Sequence, residues 1–380
     1  MRQEITIEPK EEKALLEELN KKTDPGSLRL KRFLKMPDLS RQEGSPIREL
    51  VKRILDIPDF QDFDVIQDPE IVPVKESFDL FNFPPDHPAR NRSDTYYIND
   101  NYILRTHTTI MWYYYLTLPE IQARVKNGET LGLLSYGKVY RKDEIDRNHM
   151  NVFHQMDGLY ICKREDQEIG VKELQNILTK IAQSIFGEQI KYRFNKDTFP
   201  YTDPSLEMEI EIGGRWVEVL GSGVAHRKVL DNLGVDSEIY NGWAFGFGLE
   251  RLAILSMNLP DIRLLWSKDE RVARQLHLGQ EFKEVSKFPP ITRDISFVVS
   301  NDFIPNNYFD LIRDLGGDLV EEVSLLDKYL STEKFGEGKV SYTYRIIYRS
   351  NERTLTTEEI EPIQEKIIEE TKSQFNADVR

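Results

Sequence analysis

One cysteine, Cys162, occurs in the 380 residues. No disulfide can form within the chain, and so sparing a use of thiols suits a reducing compartment. Apolar runs are short, and none reaches the roughly 18 residues that a membrane span needs, so no membrane partner is expected. Positive charge is in deficit: 51 Lys and Arg stand against 65 Asp and Glu, a formal net charge of −14. That excludes a generic basic wrapper of nucleic acid and leaves room only for a local basic groove. There is no internal repeat and no low-complexity tract. The start, "MRQEITIEPKEEKALLEELNKK", is rich in glutamate, unlike acid-poor transit peptides or apolar signal sequences. A soluble, cytoplasmic, bacterial-like protein is expected; the mitochondrial matrix is the alternative if the N-terminus is a processed form.

What is present is ordinary for a globular protein, 39% apolar and 31% charged, at a length that suits two or three domains with their own cores. Residues 1–43 read as an N-terminal helical arm. Its stretch "SLRLKRFLK" carries Arg29, Lys31, Arg32 and Lys35, for which a solvated helix face is a simpler reading than a nucleic-acid contact. In "SPIRELVKRILDI", Ser45 is the N-cap and Pro46 the first helical residue, with Ile47, Leu50, Val51 and Ile54 at helical spacing. A central domain over 44–268 is rich in strand-like runs, among them "YYINDNYIL", "LLSYGKVYR", "FHQMDGLYICK" and "LEMEIEI". Two helices interrupt them: "VKELQNILTKIAQSIFG", with Val171, Leu174, Leu178, Ile181 and Ile185 on one face, and "GLERLAILSM". Short strands and hairpin-sized turns predict an α+β fold, an antiparallel sheet flanked by helices. A linker over 269–285 leads to residues 286–380, where the order β-α-β-β-α-β is the ferredoxin-like split motif. There Tyr342, Tyr344, Ile346 and Tyr348 alternate on one strand, and Thr356 with Glu359 forms a capping box.

The chemistry concentrates in two places. Arg141 ends one strand, and the return strand carries Gln155 and Asp157. A guanidinium there could grip a phosphate in bidentate fashion; a cross-strand salt bridge on an exposed face is the equal alternative. In "FGFGLERL", Gly246 and Gly248 permit close backbone approach and Arg251 falls in the first helical turn. Tight packing is the simpler explanation of a lone GxG before a helix, and no third glycine completes a dinucleotide fingerprint. Taken alone, His149 and His154 read more simply as satisfied surface histidines than as ligands, and no paired His/Cys spacing supports zinc.

Together the two arginines on an antiparallel sheet resemble motifs 2 and 3 of the class II aminoacyl-tRNA synthetases. "FNFPPDHPARNRSDTYYI", "LRTHTT", "GKVYRKDEID", "FHQMDG", "FPYTDPSLEMEI", "WVEVLGSGV" and "GWAFGFGLERLAIL" stand in the order and spacing of phenylalanyl-tRNA synthetases. "LPDIRLLWSKDERVARQ" matches the organellar-type segment, and "KFPPITRDISFVV" opens the family's C-terminal anticodon-binding domain. With that domain directly after the catalytic one, the chain resembles the compact single-chain, mitochondrial-type form, which implies a monomer without a second subunit.

The resemblance implies ATP-dependent formation of phenylalanyl-adenylate and transfer to the terminal ribose of tRNA(Phe), with Mg2+. Arg141 would take the α-phosphate and Arg251 the γ-phosphate. Asp143 and His149 would belong to the ATP site, Phe153 would stack on adenine, and Glu218 would serve Mg2+ or the nucleotide. His107, Thr109, Gln155 and Asp157 would surround the amino acid's ammonium and carboxylate; Phe199, Tyr201, Ala244 and Phe245 would line the ring pocket. Core packing remains an equal explanation for Phe199 and Ala244. Lys328, Arg345, Arg349 and Arg353 could form a local stripe for the anticodon, although the chain from residue 282 holds 13 Lys and Arg against 19 Asp and Glu. No insertion is large enough for an editing domain, so none is expected. The chain departs from the family's pattern at Asp157 (usually glutamate), Tyr201 (usually phenylalanine), Asp143 (usually glutamate) and Ser45 (usually histidine). A synthetase paralogue with another amino acid or a non-tRNA acceptor is the alternative, and a non-catalytic RNA-binding protein is a third.

Overall fold

A computed structural model of the chain describes residues 2–284 and 288–380. It comprises two compact units: Met1–Tyr140 with Val152–Asn258 and Leu276–Glu281, and Arg141–Asn151 with Leu259–Gln275 and Phe282–Arg380. The units differ from the expected division: the arm 1–43 and residues 276–281 of the expected linker group with the first unit. The turn 141–151 and the segment 259–275 group with the C-terminal residues. The point where the expected linker gives way to the C-terminal domain lies outside the described residues.

The first unit is built on an eight-stranded sheet. Its strands are β1 (Glu4–Thr6), β2 (Asp64–Gln67), β3 (Leu131–Tyr140), β4 (Val152–Lys163), β5 (Tyr192–Phe199), β6 (Thr202–Ile212), β7 (Arg215–Ala225) and β8 (Tyr240–Gly248). They run in the order β1-β2-β3-β4-β8-β7-β6-β5. The first two pairings are parallel and the rest antiparallel. The expected helical arm thus begins with a strand, β1, before its helices α1 (Lys10–Lys21) and α2 (Pro25–Lys35). Three residues are too few to show an alternating pattern, so β1 was hidden in the sequence.

Helix α3 (Pro46–Leu55) starts as expected, the Ser45 hydroxyl accepting from the Ile47 amide at 3.2 Å. It packs against α4 (Val171–Phe186) and α5 (Leu249–Met257). In α4, Leu174, Ile177, Leu178, Ile181 and Ile185 are buried, whereas Val171 is exposed at the first turn. Each such aliphatic side chain withdrawn from water contributes about 1.5–3 kcal/mol, enough to seat the helix without Val171. Of "YYINDNYIL" only Tyr102–Leu104 is a strand, paired with Ile71–Pro73. The Asn99 side chain accepts from the amides of Asn101 and Tyr102 and so turns the chain first.

The second unit has β9 (Ile291–Ser300), α6 (Pro305–Gly316), β10 (Val320–Tyr329), β11 (Lys339–Tyr348), α7 (Thr357–Phe375) and β12 (Asp378–Val379). The sheet order β10-β11-β9-β12, antiparallel throughout, is the ferredoxin-like arrangement. Tyr342, Tyr344, Ile346 and Tyr348 face its core, and Thr356 with Glu359 caps α7. Ile145, from the turn after β3, is buried in this same core, and its carbonyl accepts from the Val323 amide. That apolar anchor explains why the turn belongs to this unit.

Candidate active site

The period of two along a strand places Phe153, Gln155 and Asp157 on one face of β4. On β8, Gly246 stands opposite Asp157 and Gly248 opposite Gln155, so the glycines share that face. A Cβ on Gly246 would lie 2.8 Å from Asp157 Oδ1; only glycine lets this carboxylate lie down over β8. At Gly248 a Cβ would meet nothing within 4 Å, so the sheet face is open there.

Asp157 is buried, and Thr108 and Thr109 each donate a hydroxyl to one of its oxygens at 2.6 Å. Burying a carboxylate is costly unless it is hydrogen-bonded, and two short hydroxyl contacts meet that need. Thr109 was expected in the site and Thr108 was not; the "TT" pair straddles the carboxylate because both residues lie in one 3-10 turn, Thr108–Ile110. Beside Asp157, Gln155 Oε1 is buried and has no protein partner among the described residues.

An aromatic wall adjoins this carboxylate. Phe199 and Tyr201 stack at 5.9 Å. A Cβ on Gly221, which pairs with Gly246, would come within 3.1 Å of the Phe199 ring, so Phe199 reaches over the glycine row towards Asp157. Tyr201 meets Phe81, Phe83 and Trp112 at centroid distances of 6.1–6.3 Å. His107 stacks on Phe83 at 5.9 Å with an interplanar angle of 5°, so its ring forms part of this wall. Ala244 is buried on the same face as Gly246. Phe245 is not: adjacent strand residues point to opposite faces, and Phe245 stacks with Trp243 and Phe247 over Gly158 on the other side. The expectation that Phe245 lines the ring pocket with Ala244 is corrected accordingly.

Arg251, half-exposed in the first turn of α5, lies 3.2 Å from the Glu218 carbonyl oxygen and 4.0 Å from its carboxylate. Burial raises the Glu218 carboxyl above its usual range; Arg251 opposes this, and Glu207, Asp197 and Glu209 add to it. Such mutual repulsion is what a cation relieves. Among the described residues no three His, Cys, Asp or Glu converge to hold a metal. Glu218 could therefore give a single carboxylate to an ion held mainly by nucleotide phosphates, the usual binding mode of Mg2+.

Arg141, Asp143 and His149 lie in the turn of the second unit. Arg141 is tied there by its amide to the Asn151 carbonyl at 3.0 Å, and Asn151 reaches Asp310 at 3.2 Å. His149 Nδ1 lies 2.8 Å from Asp146. Burial pushes the Asp146 carboxyl up, but His149 and the amides of Asn148 and His149 hold it below its ordinary value. The Asp143 and Glu144 carbonyls accept from Arg313 at 3.0 and 2.6 Å.

The four residues of the expected anticodon stripe each have a partner within the second unit. Arg345 pairs in bidentate fashion with Asp294 at 2.8 Å, Arg349 with Glu321 at 2.9 Å, and Arg353 with Glu359 at 2.7 Å. Lys328 lies over the Tyr342 ring at 5.3 Å. His154 is a further correction. It is wholly buried rather than at the surface, between Glu250 and Asp38. Its burial could not be read from a strand pattern whose two faces are both covered.

A mainly antiparallel sheet, open beside Gly248 and with a helix-borne arginine next to it, is the frame of a class II aminoacyl-tRNA synthetase core. Residues 32–276 match the family described as tRNA synthetases class II core domain (F), and residues 286–380 match the ferredoxin-fold anticodon binding domain. Among curated relatives, the chloroplastic/mitochondrial phenylalanine–tRNA ligase of Arabidopsis thaliana is 37% identical, over 90% of this chain and 80% of the relative. The mitochondrial phenylalanine–tRNA ligase of Mus musculus is 35% identical over 79% of this chain and 72% of the relative. A phenylalanine–tRNA ligase alpha subunit from Caldicellulosiruptor bescii is 38% identical but covers only 56% of the chain. The chain belongs to the phenylalanine–tRNA ligase family. The expectation of a cytoplasmic protein, drawn from the acidic start, is overturned: the relatives matched over most of the chain are organellar and point to the mitochondrion.

Proposed function

We propose that this chain is a phenylalanine–tRNA ligase that activates phenylalanine with ATP and charges tRNA(Phe) as a monomer. The observation that carries the reading is the buried Asp157, fixed by Thr108 and Thr109 beside the Phe199–Tyr201 wall. A carboxylate next to an aromatic slot suits an amino acid with an ammonium at one end and a phenyl ring at the other. Asp157 takes the ammonium, the unpartnered Gln155 Oε1 adds a second acceptor, and Phe199 and Tyr201 hold the ring with Ala244 beneath it. Once the ammonium is fixed, the substrate carboxylate is free to attack the α-phosphate. A new O–P bond forms as the bond to pyrophosphate breaks, and the terminal ribose hydroxyl of tRNA then displaces AMP from the acyl carbon.

Positioning and charge stabilisation supply most of such a reaction. Arg251 faces the nucleotide's outer phosphates and Phe153 its base. The contacts that the family resemblance implies for Arg141, Asp143 and His149 towards ATP belong to the same proposal. Mg2+, when bound with ATP, offsets phosphate charge, and Glu218 is the residue suited to touch it. ATP–pyrophosphate exchange with each of the twenty amino acids tests the reading: phenylalanine should support exchange far above the other nineteen. The Tyr201 hydroxyl favours a second reading, preference for a more polar aromatic amino acid, and the same panel decides between them.

A further inference from the structure

We propose that His154 and Glu250 form a buried clamp that positions Arg251 against the strand bearing Phe153, Gln155 and Asp157, and that residues 38–39 of the N-terminal segment hold the clamp from behind. The inference rests on the functional reading above, since it assigns Arg251 a phosphate to meet.

His154 sits between Phe153 and Gln155 but points to the opposite face of β4, where it is wholly buried. Glu250 immediately precedes Arg251 and is also buried. Its two carboxylate oxygens accept the His154 backbone N–H at 2.9 and 2.8 Å, and Oε1 accepts Nδ1–H at 2.6 Å. One carboxylate thus grips the main chain and the ring of a single residue. Three directional contacts fix the first turn of α5 in rotation and in height above β4, and Arg251 leaves from that turn.

The other ring nitrogen has two neighbours. Nε2 lies 3.3 Å from Asp38 Oδ1 and 2.9 Å from the Leu39 amide. The charged ring donates to Asp38, and the neutral ring accepts from Leu39, so the segment is held in either state. Asp38 is braced by Ser40, whose amide and hydroxyl donate to it, and by Arg41 at 3.5 Å. Lys138, opposite His154 on β3, donates to the carbonyls of Leu34 and Met36 and pairs with Glu70 at 3.2 Å. Burial pulls the His154 pKa down, but Glu250 and Asp38 outweigh it and raise it to about 9. A pair of apolar side chains would stabilise the packing as well as this buried ion pair does; what the ion pair adds is direction.

The test uses the full chain with Glu250→Gln, His154→Asn and His154→Phe. Asparagine keeps a donor where Nδ1 stands, whereas glutamine at 250 removes the charge and turns one of the two acceptor oxygens into an NH2 donor. For Glu250→Gln, exchange turnover should fall about 10²-fold, as for a misplacement of roughly 1 Å, and ATP affinity should weaken while KM for phenylalanine holds. His154→Asn, which keeps the donor to Glu250, should retain most of the turnover, whereas His154→Phe, which keeps none, should lose turnover and ATP affinity in the same direction as Glu250→Gln. Folded Glu250→Gln and His154→Phe with wild-type turnover and ATP affinity would overturn the clamp. If the wild type itself activates no phenylalanine, the functional reading fails, and ATP affinity alone judges the clamp: weakened in Glu250→Gln it stands, unchanged it falls. Should Glu250→Gln not fold, His154→Phe set against His154→Asn decides by the same two readouts.

Discussion

One carboxylate of the first sheet, Asp157, and three arginines of the second unit hold their charge in opposite ways. In the first unit one carboxylate is placed where solvent is scarce and no cation meets it among the described ion pairs. Asp157 is buried under two threonine hydroxyls, with Gly246 thinned to let it in and the face beside Gly248 left open. In the second unit Arg345, Arg349 and Arg353 each meet a carboxylate of the same unit. A charge that already has its partner is explained by the fold. A buried carboxylate steadied by neutral donors, beside an open glycine row, is explained by a ligand. The difference separates site from scaffold better than the mere presence of charged residues does.

The largest effect should come from the open end of the first sheet. Arg251→Ala is expected to lower ATP–pyrophosphate exchange by about 10²-fold or more, about 3 kcal/mol of lost transition-state stabilisation. Because Arg251 is half-exposed, the melting temperature should stay put. Near-normal exchange by the folded variant would remove Arg251 from the site and with it one side of the comparison.

Next in size is a pH dependence of stability confined to the first unit. The His154 pKa lies near 9 in the folded chain and about 6.5 in an unfolded one. The folded state binds the proton more tightly, so the stabilisation is complete below pH 6.5 and is lost as pH rises through 9. The window is worth about 3 kcal/mol by linkage. Urea unfolding followed from pH 6 to pH 10 should show the decline in wild type and not in His154→Asn. An equal decline in both would put its origin elsewhere.

A smaller change concerns the floor of the aromatic slot. Ala244→Gly removes one methyl group beneath the ring pocket, and a single methylene-sized change in such a pocket is worth about 1–3 kcal/mol. Activation of p-chlorophenylalanine should rise relative to phenylalanine. No gain would withdraw Ala244 from the pocket, as Phe245 has already been withdrawn by its place on the other face.

The sequence made these elements legible to unequal degrees, for physical reasons. Long alternations such as Tyr342 to Tyr348, and caps such as Ser45 and Thr356, announce themselves because local geometry dictates residue type. The motif residues on β4 and β8 could be found by resemblance, but their faces could not be told apart until register was known. Phe245 and Ala244 are neighbours in sequence and strangers in space. Ile145 shows another limit: one apolar residue in a charged turn carries no periodic signal, yet it fixes the unit to which the turn belongs. His154 and Glu250 lie 96 positions apart, and nothing local in either stretch reports the pairing.

The smallest expected effect is also the one that most sharpens the contrast between the sheets. Arg345 lies on the outer side of β11, exposed, with Asp294 opposite it in register. An exposed ion pair is largely screened and adds little to stability, so Arg345→Ala should leave the melting temperature unchanged. If the guanidinium were instead a contact for a tRNA phosphate, it would have to leave Asp294, and its loss would lower the slope of log affinity against log salt by about 0.7–0.9. The pairing predicts that the slope for tRNA binding stays the same in Arg345→Ala and that charging is barely altered. Arg349→Ala is the stricter control, because it strips one partner from the buried Glu321 and leaves that carboxylate to Arg147 alone among its recorded ion pairs. That variant should melt earlier while its salt slope also holds. A reduced slope in either would show that these arginines exchange a carboxylate for phosphate, and that the second sheet too keeps charge for a ligand.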